Sequence, residues 1–404
     1  MILAPDLATA EDLLAGYPGP ASFFFASPRG AFRTDGAYLT VPPSLRPDAH
    51  ADLPGRVAAA LGLARAAGHE SPIAVGAIPF APTADAALVI PERVRRAAPL
   101  AGPDAAPPDD PRPPAPPYGP ADRGAYRVEE VPGPGEYAEA VRRAVARIED
   151  GELRKVVLSR ALRVVARGGH EIGPLVAALA GRDPRAYTFA ADLGGGRTLL
   201  GASPELLVTR TGGKVVANPL AGSAPRSADP EEDRRRAEAL LASAKDRHEH
   251  ALVVDAVADA LRPLCTALDV PAEPELIRTA AMWHLSTVVE GVAAPGVTSL
   301  ALATALHPTP AVCGTPVEAA RTAIAELEPY DRGFYTGMVG WEDADGDGEW
   351  VVTIRCGVAE GDRLDLYAGA GIVGASDPAA EVAETGAKFR TMLTALGLET
   401  ADAR

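Results

Sequence analysis

The most informative stretch of the sequence is Lys245-Asp-Arg-His-Glu-His-Ala-Leu-Val-Val-Asp255. Its first six residues all carry charged or imidazole side chains, and an apolar run at helical spacing follows them at once. The segment belongs to a long predicted helix that begins with Asp229 as N-cap and Pro230 as first helical residue. On a helix, Asp246 and Glu249 stand at i and i+3, so both carboxylates point to one side.

A second predicted helix, near the C-terminus, repeats this pattern. Glu381, Glu384 and Lys388 stand there at i, i+3 and i+7. Two helices that each offer a pair of carboxylates could hold one divalent cation between them. Oxygen-only donors favour Mg²⁺ or Mn²⁺ over zinc or iron, which prefer His or Cys ligands. A solvated helix face is the alternative interpretation of each acidic pair, and the spacing alone leaves it open.

Length, charge and cysteine content limit the class of protein. The 404 residues exceed the usual size of one core, which predicts two domains or one large fold with two lobes. A formal net charge of -15 argues against nucleic acid and anionic membranes as partners. No run approaches the roughly 18 apolar residues of a membrane span. The N-terminus lacks a signal-peptide pattern, and three widely spaced cysteines predict free thiols, so a cytoplasmic protein is expected. We also expect a monomer.

Apolar patterning predicts alternating strands and helices. Helices are expected at 10–17, 55–68 and 136–150, and strands at 22–26, 30–34, 73–80, 154–160, 335–341, 350–356 and 364–370. The segments 188–192, 198–202 and 206–209 are predicted to form a three-stranded meander. The glycine triplet at 194–196 and the acidic segment at 343–349 are both predicted as hairpin turns, and not as a phosphate loop or a calcium loop.

Proline is concentrated in one segment. From Pro103 to Pro120, nine of eighteen residues are proline. Such a segment cannot pack regularly, because proline lacks the backbone donor that helices and sheets require. The composition predicts an extended surface segment between the N-terminal third and the rest of the chain.

Two isolated charges are candidates for acid–base chemistry. Lys155 precedes an apolar strand segment, and a lysine in a desolvated site loses its proton more readily and can act as a base. An edge-strand lysine in water is the alternative interpretation. Glu205 lies between two apolar segments, just after a proline. A desolvated glutamate there could act as a general acid, although lone acids at strand starts are usually solvated.

Eight motifs, in order along the chain, resemble those of the chorismate-utilising enzymes. They are Lys155-Val-Val-Leu-Ser-Arg, Ser203-Pro-Glu-Leu-Leu, Pro219-Leu-Ala-Gly-Ser, Lys245-Asp-Arg-His-Glu-His, Trp283-His-Leu-Ser-Thr, Leu306-His-Pro-Thr-Pro-Ala, Thr353-Ile-Arg-Cys and Ala368-Gly-Ala-Gly-Ile-Val. Within that superfamily they look most like the isochorismate synthases of siderophore biosynthesis. The likeness continues into the N-terminal third, through Phe23-Phe-Phe-Ala-Ser-Pro and Val75-Gly-Ala-Ile-Pro-Phe, and so covers nearly the whole chain.

This resemblance implies a fold and a reaction. Residues 1–404 would form a single α+β fold with two lobes, in which two large antiparallel sheets pack as a sandwich with helices outside. The proline-rich segment at 103–120 would lie on its surface. The reaction implied is the reversible conversion of chorismate to isochorismate, in which water adds at ring C2 and the C4 hydroxyl leaves. A Mg²⁺ ion would be the cofactor, and chorismate and isochorismate the only partners.

The resemblance also implies roles for individual residues. Lys155 matches the general base that activates water, and Glu205 matches the general acid that protonates the departing hydroxyl. The acidic helices supply the Mg²⁺ site, with Glu249 and Glu384 matching its ligands and Asp246 and Glu381 acting on the metal through bound water. The positions that match substrate contacts are Gly222, Ser223, His284, Ala311, Tyr335, Arg355, Gly371 and Lys388.

Two other functions remain open on the sequence. Salicylate synthases make isochorismate and then eliminate pyruvate, and they tend to carry threonine where this chain has Ala311. That residue therefore favours a reaction that stops at isochorismate, whereas Tyr335 resembles the salicylate synthases. A chorismate-binding protein without activity would have no physical need for every one of the presumed catalytic residues, all of which are present.

Overall fold

The computed structural model of the protein describes residues 10–100 and 126–398. The predicted proline-rich segment at 103–120 lies outside these residues. Within them, the helices are α1 (Ala10–Leu14), α2 (Leu53–Ala66), α3 (Pro134–Glu149), α4 (Ile172–Arg182), α5 (Pro230–Ala242), α6 (Ala244–Leu261), α7 (Ser299–Leu306), α8 (Val317–Leu327) and α9 (Pro378–Ala395).

The strands of the described residues all pair in antiparallel fashion. They are β1 (Phe23–Ser27), β2 (Gly30–Asp35), β3 (Leu39–Thr40), β4 (Ile73–Ile78), β5 (Ala87–Ile90), β6 (Arg93–Ala97), β7 (Tyr126–Val131), β8 (Lys155–Ala166), β9 (Tyr187–Gly194), β10 (Arg197–Ser203), β11 (Leu206–Thr211), β12 (Lys214–Ala217), β13 (Leu220–Pro225), β14 (Cys265–Asp269), β15 (Glu275–Arg278), β16 (Met282–Ser286), β17 (Val289–Ala293), β18 (Gly314–Thr315), β19 (Met338–Asp343), β20 (Gly348–Val352), β21 (Cys356–Glu360) and β22 (Arg363–Ile372).

Two large sheets and one small sheet organise these strands. The first sheet has the order β18-β8-β22-β21-β10-β9-β1-β2-β6, with β7 also paired to β8. The second sheet has the order β14-β17-β12-β11-β20-β19-β4-β5-β3. The small third sheet, β13-β16-β15, places Ser223 directly opposite His284.

The two large sheets pack face to face. Phe25 of the first sheet belongs to the same buried cluster as Val75 and Val351 of the second. Helices α1, α4 and α9 bury their apolar faces on the outside of the first sheet, and α2, α6 and α7 do the same on the second. Because side chains alternate between the faces of a strand, each sheet contributes to two cores at once. The predicted α+β sandwich with helices outside is confirmed.

The predicted meander is wrong at its third strand. Strands β9 and β10 form a hairpin in the first sheet, as predicted, but β11 pairs with β12 and β20 in the second sheet. The chain crosses from one sheet to the other between Ser203 and Leu206. Pro204 lies at this crossing and has no backbone N–H with which to continue the ladder. Glu205 is therefore placed between the sheets.

The predicted single strand at 350–356 is also two strands in two sheets. Strand β20 ends in the second sheet and β21 begins in the first, with Arg355 between them at a φ of 50°. A left-handed residue cannot continue an extended strand, so it turns the chain. The backbone N–H of Ala202 donates to the carbonyl of Arg355 over 3.1 Å, so the two crossings lie side by side. The strand predicted at 335–341 begins only at Met338.

The long helix predicted from Asp229 is interrupted. Asp229 caps α5 as predicted, by accepting from the N–H groups of Glu231 and Glu232. Ser243 then leaves the helical conformation and caps α6, and its Oγ accepts from the N–H of Asp246 over 3.2 Å. A new helix thus begins just before the acidic residues. Because of this break, the axis of α6 and the direction of its acidic side chains do not follow from those of α5.

The remaining local predictions agree with the structure. The glycine triplet at 194–196 joins β9 to β10, and the acidic segment at 343–349 contains the tight turn between β19 and β20. All three cysteines are free thiols. In the parts of the chain described, no helix combines the length and the apolar character needed to cross a membrane.

Candidate active site

A cavity of about 780 Å³, counted with its open mouth, lies where the two crossings meet α6 and α9. We call it the central cavity. Most of the predicted site residues line it, namely Glu205, Gly222, Ser223, Asp246, Glu249, His284, Ala311, Tyr335, Arg355, Gly371, Glu384 and Lys388. Lys155 and Glu381 do not line it, and each is instead paired with a residue that does.

Lys155 is completely buried behind the cavity surface. Its side chain has 0% of its surface exposed, and its Nζ lies 2.9 Å from Oε1 of Glu249. The alternative of an edge-strand lysine in water is therefore excluded. Gly371 makes room for this pair, since a Cβ at that position would lie 2.3 Å from Oε1 of Glu249 and 2.9 Å from Cε of Lys155. A residue without a side chain is required where strand and ion pair meet.

Glu205 occupies the first crossing between the sheets and is only 4% exposed. Its burial raises its pKa to about 7, although the charges of Lys155 and Arg355 act in the opposite direction. The solvated interpretation of this carboxyl group is thus wrong. Near neutral pH a substantial fraction of Glu205 carries a proton that it can donate.

Arg355 occupies the second crossing and is a buried cation with an unusual backbone conformation. Its backbone is in the left-handed region, as is that of Thr336 with a φ of 56°, and both residues line the central cavity. Such conformations cost free energy in residues other than glycine and cluster at functional sites. Burial lowers the pKa of Arg355, and no carboxylate of the described residues lies within ion-pairing distance of it. Its guanidinium is available to an anion.

His284 faces Ser223 across the third sheet. The Ser223 Oγ lies 2.8 Å from Nδ1 of His284, and Nε2 has no hydrogen-bond partner among the residues described. Burial, together with the nearby charges of Arg355 and Lys388, holds the pKa of His284 well below its ordinary value. The ring is therefore neutral near pH 7, and Nε2 can bond to a ligand in the cavity.

Carboxylates on α6 and α9 face each other, and most of them are held by lysines. The pairs are Glu249 with Lys155 at 2.9 Å, Glu384 with Lys388 at 2.6 Å and Glu381 with Lys245 at 3.4 Å. Burial and the charge of Glu249 raise the pKa of Asp246. The carboxylates thus lie near enough to one another that each disfavours the ionised form of its neighbours. The positive charges of the paired lysines act in the opposite direction.

The acidic residues suit a hard divalent cation by donor type. Burial would raise the pKa of Glu249, but the charges of Lys155, Lys388 and Lys245 hold it below its ordinary value, so this carboxylate is ionised. Carboxylate oxygens are the donors that Mg²⁺ prefers, and a cation would relieve the repulsion among them. Within residues 10–100 and 126–398, however, no three His, Cys, Asp or Glu side chains form a metal-binding group. The positive charges beside these carboxylates are those of the lysines.

Some residues that line the cavity were not predicted. Lys245 belongs to the polar run at 245–250, which marked it as a site candidate, whereas its pairing with Glu381 of α9 depends on the tertiary fold. Tyr367 precedes Gly369 and Gly371 at alternate positions of β22, and this period of two places all three on the cavity side. Thr336 had no sequence signal, because its left-handed backbone results from the tertiary fold.

Residues 115–397 match the family described as chorismate binding enzyme, and the chain belongs to that family. Within it, the chain groups with the isochorismate synthases. It is 51% identical to isochorismate synthase DhbC of Bacillus subtilis, over 96% of this chain and 97% of that protein. It is 40% identical to isochorismate synthase EntC of Escherichia coli, over 94% of this chain and 95% of that protein.

A solved structure agrees with this grouping. The crystal structure of Bacillus anthracis DhbC, described as a candidate 2,3-dihydroxybenzoate-specific isochorismate synthase, superposes with a TM-score of 0.87 at 47% identity. The match covers 96% of this chain and 100% of the other. The predicted family is therefore confirmed over nearly the whole chain.

Proposed function

We propose that the protein is an enzyme that converts chorismate reversibly to isochorismate in the central cavity. The observation that carries this proposal is the convergence, at one cavity, of the buried Lys155–Glu249 ion pair, the buried Glu205 and Arg355, which has no carboxylate partner among the described residues. The relatives that share 40–51% of the sequence are named for this reaction. We also propose that residues 1–404 form a single fold with two lobes around this site.

The proposed chemistry needs one base and one acid. Lys155 is the proposed base, which takes a proton from water as the water oxygen bonds to C2 of the ring. The ring double bonds shift, the bond from C4 to its hydroxyl breaks, and Glu205 gives its proton to the departing oxygen so that water leaves. The two groups come from different strands, β8 and the β10–β11 crossing, which suits transfers at two separate ring atoms.

The substrate is an anion in a protein of net charge -15, so local positive charge must bind it. Arg355 is the proposed partner of the enolpyruvyl carboxylate, aided by the backbone at Gly371 and by Tyr335. The ring would lie against Gly222, Ser223 and His284, with Nε2 of His284 as a hydrogen-bonding group. Lys388, which donates to the carbonyl of Gly369 over 2.8 Å, adds positive charge at the same end of β22.

Mg²⁺ is the proposed cofactor. Glu249 and Glu384 would ligate it, and Asp246 and Glu381 would bind its water molecules. When bound, Mg²⁺ would supply positive charge for the ring carboxylate of the substrate. The carboxylates that face each other across α6 and α9 support this assignment, and their lysine partners would have to yield to the metal.

The product is proposed to be isochorismate without pyruvate elimination. Ala311 lines the central cavity where the resemblance places threonine in salicylate synthases. Tyr335, the residue that favours the alternative, is stacked on Tyr367 with ring centroids 5.0 Å apart. The ring of Tyr335 is therefore held in an aromatic pair, and we give Ala311 precedence. The Bacillus anthracis relative is described as specific for 2,3-dihydroxybenzoate, which favours a route to an aryl-acid siderophore unit. We further propose that the protein works as a cytoplasmic monomer.

Chromatography of reaction products tests the proposal. The purified protein is incubated with chorismate and Mg²⁺, with and without EDTA, beside a Lys155→Ala variant and a Lys214→Ala control at an exposed lysine. Isochorismate alone, formed by wild type and control and abolished by EDTA, supports the proposal. Salicylate together with pyruvate would identify a salicylate synthase. No product from any sample would favour a chorismate-binding protein without activity.

A further inference from the structure

Helix α9 separates two cavities. One of its faces presents Glu384 and Lys388 to the central cavity, and another presents Phe389 and Arg390 to a second cavity of about 1280 Å³, counted with its open mouth. We call this second one the arginine cavity. Its lining shares no residue with that of the central cavity and consists of Glu130, Pro134, Arg160, Leu162, Pro225, Arg226, Arg236, Val382, Ala383, Gly386, Ala387, Phe389, Arg390 and Leu393.

The arginine cavity has an excess of positive charge. Four arginines line it, against the single carboxylate of Glu130. Three of the four have carboxylate partners, which are Glu130 for Arg160, Asp233 for Arg226 and Glu232 for Arg236. Arg390 has only a long hydrogen bond from Nε to the carbonyl of Ala387, at 3.4 Å, and none of the described carboxylates is within ion-pairing distance of it.

A second guanidinium with unsatisfied nitrogen atoms lies nearby, outside the lining of the arginine cavity. Arg182, at the end of α4, is 9% exposed, and its Nε and Nη1 have no hydrogen-bond partner in the described part of the chain. Burial lowers the pKa of Arg182, and the charge of Arg390 lowers it further. Burial and then the charge of Arg236 have the same effect on Arg390. Unpaired charge away from solvent is unfavourable, so an anion placed beside Arg390 and Arg182 would be stabilising.

The rest of the arginine cavity is apolar. Leu162, Val382, Phe389 and Leu393 line it, and the guanidinium of Arg160 lies over the ring of Phe389 at 5.5 Å. Guanidinium groups bind carboxylates through paired, charge-assisted hydrogen bonds, whereas apolar and aromatic side chains bind a ring. The combination matches a carboxylate attached to a cyclic or aromatic body, and it does not match a fully hydrated inorganic anion.

We propose that the arginine cavity is a second ligand site, which binds a cyclic or aromatic carboxylate and communicates with the central cavity through α9. Three elements carry residues of both cavities. Strand β8 contributes Val157 to one and Leu162 to the other, strand β13 contributes Ser223 and Pro225, and α9 contributes a face to each. A ligand that shifts α9 must therefore also move Glu384 and Lys388. This communication rests on the proposed function, but the binding itself does not.

Calorimetric titration with benzoate tests the binding, with inorganic phosphate and acetate as comparison ligands. We expect saturable binding of benzoate that Arg390→Gln weakens at least ~10-fold, because a charge-assisted hydrogen bond contributes about 1.5–3 kcal/mol. Arg355→Gln, in the central cavity, and Arg234→Gln, an exposed arginine on α5, should keep the affinity of the wild type. Phosphate and acetate should bind more weakly than benzoate.

Ala387→Phe provides a second variant that keeps every charge and fills the arginine cavity from α9. It should also lose benzoate binding, and thermal melting of both variants would show that they are folded. Loss of binding in Arg355→Gln but not in Arg390→Gln would place benzoate in the central cavity and overturn the proposal. Absence of saturable binding, or equal affinity for phosphate and benzoate, would overturn it as well.

Steady-state kinetics test the communication between the cavities. Benzoate should change kcat for chorismate in the wild type and leave kcat unchanged in Arg390→Gln. A rise in KM alone, identical in both proteins, would mean simple competition in the central cavity and would contradict the communication through α9. If the protein shows no turnover, the proposed function fails while the binding experiment still decides whether the site exists.

Discussion

The ammonium group of Lys155 and the carboxylate of Glu249 are 2.9 Å apart, and the lysine has no exposed surface. The proposed base is therefore also the partner of a proposed metal ligand. Removal of one member of a buried ion pair typically costs about 3–5 kcal/mol, because the other charge stays buried. Any loss of activity in a Lys155 variant combines this structural effect with the loss of chemistry.

A double substitution separates the two effects. Lys155→Met should lower the free energy of unfolding by about 3–5 kcal/mol, and the Lys155→Met/Glu249→Gln protein should recover most of that loss, since no buried charge is left alone. Turnover should fall by about 10²–10⁴ in both, because neither protein has a base. Urea unfolding and a chorismate assay measure these quantities. Turnover that recovers together with stability would show that Lys155 has only a structural role.

Gly371→Ala should abolish turnover by displacing the same ion pair. The new Cβ would lie 2.3 Å from Oε1 of Glu249, so the carboxylate or the strand must move. Overpacking of this kind typically costs about 1–3 kcal/mol of stability. Gly374→Ala, three residues further along the chain, is the matched control, because its Cβ would meet only Cγ2 of Ile148 at 3.7 Å. An active Gly371→Ala protein would contradict the tight geometry described for this site.

The raised pKa of Glu205 predicts the pH dependence of activity. A general acid works in its protonated form, so kcat/KM should decrease as pH rises through about 7. Glu205→Gln should lower turnover by about 10²–10⁴ and should lack this alkaline limb. A pH–rate profile of the wild type and of the variant measures both effects. An alkaline limb that persists in Glu205→Gln would assign it to another group.

The same carboxyl group should make stability depend on pH. Its ordinary pKa is 4.5 and its folded value about 7, so between these values the folded state keeps a proton that the unfolded chain has released. Stability from this group is complete below pH 4.5 and is lost as pH rises to 7, by about 3 kcal/mol in total. Glu205→Gln should therefore be more stable than the wild type at pH 8 and not at pH 4. Urea unfolding at both pH values tests this sign.

Glu381→Gln tests the proposed Mg²⁺ site without removal of a direct ligand. This carboxylate pairs with Lys245 at 3.4 Å, and burial and the charge of Glu384 raise its pKa. Loss of a group that binds metal-bound water typically lowers metal affinity by about 10–100-fold. The Mg²⁺ concentration at half-maximal activity should therefore rise by about 10–100-fold in Glu381→Gln. Glu238→Gln, at an exposed glutamate of α5, is the control. An unchanged Mg²⁺ requirement in Glu381→Gln would remove this residue from the site.

Much of this architecture could be predicted from local sequence. Hairpin turns, the Asp229 cap and the acidic faces of two helices depend on near neighbours, and each of these predictions agrees with the structure. The assignment of Lys155 and Glu205 to one functional region came from the resemblance of whole motifs. Neither residue has a spacing that would bring them together by itself.

Most of the errors share one physical cause. Residues 206–209 and 350–356 look like ordinary strands, and strand propensity cannot show which sheet a strand joins. The left-handed backbone of Arg355 is fixed by tertiary contacts, so no local pattern predicts it. The helix break at Ser243 did have a local signal, because a serine three residues before Asp246 has the spacing of a helix N-cap. The pairing of Lys155 with Glu249 likewise depends on contacts between β8 and α6, which are far apart in the chain.

Because of the two crossings between the sheets, activity requires that both large sheets be fully assembled. Glu205 and Arg355 occupy these crossings, so neither has its final position until strands of both sheets are in place. A folding intermediate with only one sheet assembled would contain secondary structure without a functional acid or a substrate-binding cation. During refolding, regain of turnover should therefore coincide with the last docking event and should follow the recovery of strand and helix signals.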